Sequence, residues 1–80
     1  MKLPRDLSGE ALVKLLTRHG YVMTRQSGSH IRLTTKMNGE HHLTIPAHAA
    51  LRIGTLNGIL GDVALHLGKD RTGVALDLFG

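Results

Sequence analysis

The first stretch of hydrophobic and polar positions with a regular period predicts an amphipathic helix over residues 8–19. Leucines recur there at intervals of three and four residues, and charged residues lie between them on the opposite side. Ser8 precedes the stretch as a candidate N-cap, and Gly20 follows it as a candidate C-cap.

Three β-rich segments follow, and turn-forming residues separate them. We predict an antiparallel sheet with strands over residues 21–26, 29–36 and 40–46. In the second hairpin, pairing Ile31 with Ile45 places apolar side chains on one face, because residues opposite each other point the same way. That pairing leaves a three-residue loop at 37–39, in which Gly39 takes the left-handed conformation.

The same reasoning pairs Tyr21 with Leu33 and Met23 with Ile31 in the first hairpin, and it leaves a loop at 26–28. The side chains that face the core are then apolar: Tyr21, Met23, Ile31, Leu33, Leu43 and Ile45. The opposite face of the predicted sheet is polar and solvated: Thr24, His30, Arg32, Thr34, His42 and Thr44.

A second helix is predicted over residues 55–67, where apolar side chains return to a helical period. Thr55 is its candidate N-cap and Gly68 its candidate C-cap. The glycines inside it are explained most simply by close packing against the sheet. The tail from Asp70 to Phe79 has the pattern of a short helix capped by Asp70, which needs to dock on the protein or on a partner.

These elements together predict an α+β fold in one small domain over residues 1–80. The order is α-β-β-β-α, with a core over about 8–67 and a tail over 68–80. The three-stranded antiparallel sheet carries the helices on one face, and a short C-terminal helix follows. Eighty residues suffice for one such core and exclude a second catalytic domain.

The charge is unevenly distributed along the chain. Residues 1–52 hold eight Lys and Arg against three Asp and Glu, a net +5, whereas residues 53–80 carry a net −1. A basic first part favours a polyanionic partner such as nucleic acid. Aromatic residues make up only 2% of the chain, which disfavours a platform that stacks bases.

The chain contains no cysteine, which excludes disulfides, thiolate zinc sites and cysteine nucleophiles. The N-terminal segment lacks the apolar run of a signal peptide, and no segment is long and apolar enough to span a membrane. We therefore expect a cytoplasmic protein with no membrane association, monomeric when free.

Six histidines are the abundant candidates for acid–base chemistry. The motifs of phosphate-binding loops, dinucleotide folds and serine hydrolases are absent, and so is a paired acidic cluster for magnesium. A zinc site from His41, His42 and His48 is disfavoured because adjacent strand residues point to opposite faces. His41 instead has the parity of a partly buried, hydrogen-bonded side chain. We predict neither a metal nor a cofactor.

His30 stands out because it follows Gly28 and Ser29 at the start of a strand. A tight turn there presents backbone N–H groups and little side-chain bulk around one imidazole, which suits a phosphodiester. His30 has the chemistry to take a proton from a ribose 2′-hydroxyl or to donate one to the leaving oxygen. Arg32 lies two residues further along the same face, where it can hold phosphate. From spacing alone, an exposed strand histidine without a catalytic role is the alternative.

The run GYVMTRQSGSH over residues 20–30 precedes an alternating strand, a Pro46–His48 segment and the tetrapeptide IGTL at 53–56. This combination resembles the HicA family of toxin mRNA interferases, and the resemblance covers roughly residues 8–67. It implies a fold similar to a double-stranded-RNA-binding domain. It also implies metal-independent cleavage of mRNA and inhibition by a HicB-type antitoxin.

Carried onto this chain, the resemblance implies that His30 is catalytic and that Gly28 and Ser29 shape its turn. The expected function is therefore an endoribonuclease toxin of a type II toxin–antitoxin system, with Arg25, Arg32 and Lys36 positioning the RNA backbone. Arg25 has the core-side parity at the sheet edge, so a structural hydrogen bond is nearly as strong an interpretation. A non-catalytic RNA-binding module of the same fold and a scaffolding protein are the alternatives. A further interpretation, compatible with the ribonuclease, is an inhibited subunit whose main role is to form a toxin–antitoxin complex that represses its own operon.

Overall fold

The computed structural model describes residues 3–80. Its elements in chain order are α1 (Gly9–Thr17), β1 (Val22–Ser27), β2 (His30–Thr35), β3 (His41–Pro46), α2 (Ile53–Leu67) and α3 (Arg71–Phe79). The strands form one antiparallel sheet in the order β1-β2-β3. The predicted α+β class and element order are confirmed, in an arrangement like that of a double-stranded-RNA-binding domain.

Helix α1 begins as the sequence predicts. The Ser8 hydroxyl accepts a hydrogen bond from the Ala11 backbone N–H at 3.0 Å. The helix ends at Thr17 and a turn follows, in which Gly20 has a φ of +99°. A Cβ at Gly20 would lie 2.2 Å from the Met37 sulfur, so this glycine lets the tip of the second hairpin pack closely against the end of α1.

Helix α2 begins at Ile53, earlier than predicted, and Thr55 is not its N-cap. Arg52 occupies the N-cap position without a side-chain hydrogen bond, whereas Gly68 ends the helix with a φ of +69°, as expected. The tail forms α3, in which the Asp70 carboxylate accepts a hydrogen bond from the Gly73 N–H at 2.7 Å. Its Val74 and Leu78 side chains are buried, so the tail helix docks on the protein itself.

The core lies between the helices and one face of the sheet. Its fully buried large side chains come from every layer: Tyr21, Leu12, Leu16, Leu33, Ile45, Leu56 and Leu60. The glycines of α2 do not contribute to this packing. A Cβ at Gly54 or Gly58 would meet nothing within 4 Å, and both residues are exposed. The prediction that the glycines allow close packing against the sheet is therefore wrong for these two.

The second hairpin has the predicted register. Ile31 pairs with Ile45 and Leu33 with Leu43, and the turn spans residues 37–39. Gly39 has a φ of +95°, and Asn38 before it is also left-handed. The alternation of polarity was sufficient here because one face of both strands is buried, so a slip by one residue would expose the whole apolar set.

The first hairpin has a different register from the predicted one. Met23 pairs with Leu33, and Ser27 pairs with His30 around a two-residue turn, so the predicted loop at 26–28 is wrong. Met23 is 52% exposed and does not belong to the core. All six residues of β1 are exposed, so neither side of this edge strand is buried, in contrast to β3 at the other edge.

Within residues 3–80, no helix combines the length and the apolar character needed to cross a membrane.

Candidate nucleic-acid interface

The sheet face that points away from the helices is polar and is called the open face below. It presents polar side chains from all three strands: Thr24, Arg25, Ser27, His30, Arg32, Thr34, His42 and Thr44. Val22 pairs with Thr34 and is an exposed apolar side chain on the same face. Lys36 continues the same parity beyond β2 and lines a shallow groove of about 500 Å³ together with Thr24 and Thr34. The face therefore runs from His30 to Lys36, a length of about 20 Å at 3.3 Å per strand residue.

A β-bulge in β1 decides where Arg25 points. The register shifts between Met23 and Arg25, so that Thr24 is an extra residue and Arg25 stands directly opposite Arg32. Opposed residues in an antiparallel pair share a face, which places Arg25 on the open face. The predicted core-side parity of Arg25 is therefore wrong, because that parity assumed a strand without a bulge.

Within residues 3–80, neither of the two opposed arginines lies within ion-pair distance of an acidic side chain. In the part of the chain that the structure describes, the close contacts between acidic and basic side chains join Glu40 to the His42 imidazole and Asp77 to Lys69. Neither involves Arg25, Arg32 or Lys36. Like charges directly opposite each other in a sheet are destabilising, so the open face carries a repulsion that a bound anion would relieve.

The turn Gly28-Ser29 sets the position of His30. Gly28 has a φ of +58° and Ser29 does not have a positive φ, which is the sign pattern of a two-residue type II′ hairpin turn. The Ser29 carbonyl accepts a hydrogen bond from the Ala47 N–H at 2.6 Å, which ties the turn to the segment after β3. His30 then begins β2 between Ser27 and Pro46, with an exposed imidazole.

A chain of hydrogen bonds crosses the middle of the open face. The Thr24 and Thr34 hydroxyls lie 3.1 Å apart, and the Thr34 hydroxyl lies 2.8 Å from Nδ1 of His42. Nε2 of His42 lies 2.9 Å from a carboxylate oxygen of Glu40. The predicted parity placed both threonines and His42 on this face, but it did not predict their bonding. The spacing of Glu40 and His42 could have indicated one of these bonds, because residues two apart in a strand lie on the same face.

His41 lies on the opposite side of the sheet from His42. Its Nδ1 lies 2.9 Å from the Tyr21 hydroxyl, and its ring stacks on His66 with centroids 4.3 Å apart. Burial, and then the neighbouring His66, lower the pKa of His41 from its usual 6.5. The predicted partly buried, hydrogen-bonded His41 is confirmed.

The adjacent histidines therefore do not converge on one ion. Residues 3–80 also contain no group of three His, Cys, Asp or Glu side chains placed to hold a metal. Metal independence of the reaction stays a prediction, to be tested in solution.

A comparison with protein-family models matches residues 9–65 to the model described as the HicA toxin of bacterial toxin–antitoxin systems. The chain belongs to the HicA toxin family. This HicA protein is accordingly the toxin of a toxin–antitoxin system, and the family implies an antitoxin partner. The match begins at the first residue of α1 and ends in the last turn of α2, so α3 lies outside it. No curated protein and no solved structure matches the chain.

The structure thus brings the predicted site residues of this HicA toxin to one face of one sheet. His30 lies at one end, the two arginines lie beside it, and Lys36 lies at the far end. Gly28 and Ser29 form the turn that precedes His30.

Proposed function

We propose that this HicA toxin is a metal-independent endoribonuclease that cleaves mRNA on the open face, with His30 as its single general acid or base. The observation that carries the proposal is the unneutralised pair Arg25 and Arg32, opposed across β1 and β2 beside the exposed His30. Family membership supports the same function, since HicA toxins are generally RNases.

The arginines hold the RNA backbone in this proposal. Arg32 lies two residues from His30 on the same face, about 7 Å along the strand. A guanidinium can contact two oxygens of one phosphate at once. Because Arg25 lies directly across from Arg32, the pair can place a phosphate between them, and Lys36 contacts the backbone further along the face.

His30 carries out the proton transfer. As a base, its neutral imidazole takes the proton of the ribose 2′-hydroxyl, the 2′-oxygen bonds to phosphorus, and the bond to the 5′-oxygen breaks. The leaving oxygen then takes a proton from water. As an acid, the imidazolium protonates that leaving oxygen while water accepts the 2′-proton. The arginines stabilise the negative charge that builds up on the phosphate oxygens in either case.

The open face also explains how an antitoxin can inhibit the enzyme. We propose a HicB-type antitoxin whose acidic surface covers the arginine pair and His30 and thereby competes with RNA. Electrostatic complementarity of this kind produces fast association that weakens with salt.

The test incubates purified protein with an mRNA in EDTA and compares wild type with His30→Ala. Loss of one acid–base group is expected to reduce cleavage by about 10²- to 10⁴-fold. His48→Ala is the matched control, because His48 is another exposed histidine, in the segment that follows β3 at the same end of the sheet. Circular dichroism establishes that each variant is folded.

Two results would contradict the proposal. Cleavage by His30→Ala at the wild-type rate would remove His30 from the chemistry. RNA binding without cleavage by either protein would favour a non-catalytic RNA-binding module. The latter alternative has an observation in its favour, since the imidazole of His30 forms no hydrogen bond with another described residue that would orient it.

A further inference from the structure

The hydrogen-bond chain on the open face has a direction. An ionised carboxylate can only accept a hydrogen bond, so Glu40 requires that Nε2 of His42 carry a proton. In the neutral imidazole Nδ1 is then an acceptor. The Thr34 hydroxyl therefore donates to Nδ1 at 2.8 Å, and its oxygen is left to accept from its other neighbour.

The direction continues to the exposed end of the chain. The Thr24 hydroxyl lies 3.1 Å from the Thr34 oxygen and 3.4 Å from the Arg32 carbonyl oxygen, and it donates its one proton to one of these two acceptors. Whether it donates to the Thr34 oxygen or to the Arg32 carbonyl, Thr24 uses its single proton within the protein. What Thr24 offers to solvent is the lone pairs of its oxygen, which accept a hydrogen bond and do not donate one.

The position of this acceptor matters because of its neighbours. Thr24 is the extra residue of the bulge, next to Arg25 and opposite Arg32. The arginines supply hydrogen-bond donors for a phosphate, and the ionised phosphodiester of RNA has only acceptor oxygens. An acceptor beside a phosphate site fits a hydrogen-bond donor on the adjoining sugar. In nucleic acids that donor is the 2′-hydroxyl, which RNA has and DNA lacks.

We infer that Thr24 is a specificity-determining residue that selects ribonucleotides by accepting a hydrogen bond from a 2′-hydroxyl. Thr34, His42 and Glu40 are positioning residues that hold the Thr24 oxygen in its accepting state. The inference rests on the proposed function, because it takes the open face as the RNA-binding surface. It adds a determinant of sugar identity to a face whose arginines read only the phosphates.

The experiment measures equilibrium binding of a fluorescent single-stranded RNA and of the same sequence with 2′-fluoro sugars. The 2′-fluoro sugar retains a polar substituent at this position but cannot donate a hydrogen bond. The His30→Ala protein serves as the parent so that the RNA stays intact. One neutral hydrogen bond corresponds to a preference of about three- to tenfold for RNA over the 2′-fluoro strand.

Thr24→Val is expected to remove that preference, with little change in affinity for the 2′-fluoro strand. Glu40→Gln is expected to reduce it in part, because an amide can donate or accept and no longer dictates the proton on His42. Thr72→Val is the matched control. Thr72 is an exposed threonine of α3, away from the open face, so its valine variant should keep the full preference.

The outcomes separate the inference from the function beneath it. Tight RNA binding with no preference over the 2′-fluoro strand overturns the role of Thr24 and leaves the RNA-binding function in place. A preference that survives in Thr24→Val, or disappears equally in Thr72→Val, also overturns the role. Absence of binding to either strand at low salt overturns the proposed function together with the inference.

Discussion

The two hairpins of the sheet share strand β2 but differ in regularity and burial. In the β2–β3 hairpin the register is continuous, and Leu33 and Ile45 are fully buried beneath the helices. In the β1–β2 hairpin a bulge interrupts the register and every residue of β1 is exposed. The second hairpin builds the core, whereas the first has no packing constraint that requires its bulge or its opposed arginines.

That contrast indicates where stability resides, and it supports the proposed position of the RNA-binding site. Bulges re-aim side chains and are frequent next to functional sites. Here the bulge moves Arg25 onto the open face beside Arg32 and exposes the Thr24 oxygen between them. Without the bulge, the alternation of side chains along β1 would place Arg25 on the other side of the sheet.

The largest expected effect tests whether stability comes from the second hairpin. Leu33→Ala removes a fully buried side chain and should lower the free energy of unfolding by about 2–5 kcal/mol. Met23→Ala, at the paired position in β1, should change it by only about 0.5 kcal/mol because Met23 is mostly exposed. Urea denaturation followed by circular dichroism measures both, and similar losses would show that β1 is a structural strand as well.

Arg25→Glu is expected to have a smaller effect, in which the stability of the fold increases and the affinity for RNA decreases. The glutamate would face Arg32, which replaces a repulsive cross-strand pair by an attractive one and should stabilise the fold by about 0.2–1 kcal/mol. RNA binding should weaken, and its dependence on salt concentration should become less steep. Thermal unfolding and binding titrations at several salt concentrations check both parts.

Arg18→Glu is the control for that experiment, since Arg18 follows α1, away from the open face. The same change of charge there should leave RNA affinity nearly unchanged. If both variants weaken binding equally, the net charge of the protein, and not the arginine pair, determines affinity.

The smallest expected effect is a dependence of stability on pH that originates at the turn end of the second hairpin, where His41 begins β3. Because the pKa of His41 is lower in the folded protein than the usual 6.5, the unfolded chain binds a proton more readily. The stabilising contribution is complete above pH 6.5 and is lost as the pH falls through that value towards the folded pKa. His41→Gln should show a shallower loss of stability over this range in denaturation curves recorded at successive pH values. An unchanged slope would exclude His41 as its source.

Much of the fold could be predicted because its strongest patterns coincide with burial. Ile31, Leu33, Leu43 and Ile45 alternate with polar residues, and that alternation has one solution when one face is covered. The caps at Ser8, Gly68 and Asp70 were predictable for a similar reason, since each depends on one local hydrogen bond or one backbone conformation. The start of α2 was not predictable, because Arg52 lacks a capping side chain.

The sequence predicted which residues form the candidate site better than it predicted their positions and contacts. His30, Arg32 and Lys36 follow from strand parity on one strand. Arg25 was assigned to the wrong side, since an edge strand with both faces exposed has no apolar pattern that reveals a bulge. The bonds among Thr24, Thr34 and His42 join three strands, and residue spacing alone does not determine such contacts.

What the sequence by itself determined about this HicA toxin is therefore its element order, the core of its second hairpin, and the polar face that carries His30. These depend on periodicity and on local hydrogen bonds. Only the tertiary structure decided that α2 turns Gly54 and Gly58 towards solvent, that β1 contains a bulge, and that Arg25 opposes Arg32. Those features depend on which sides of each helix and strand are buried in the folded protein, because burial is what turns an alternating pattern into a unique register.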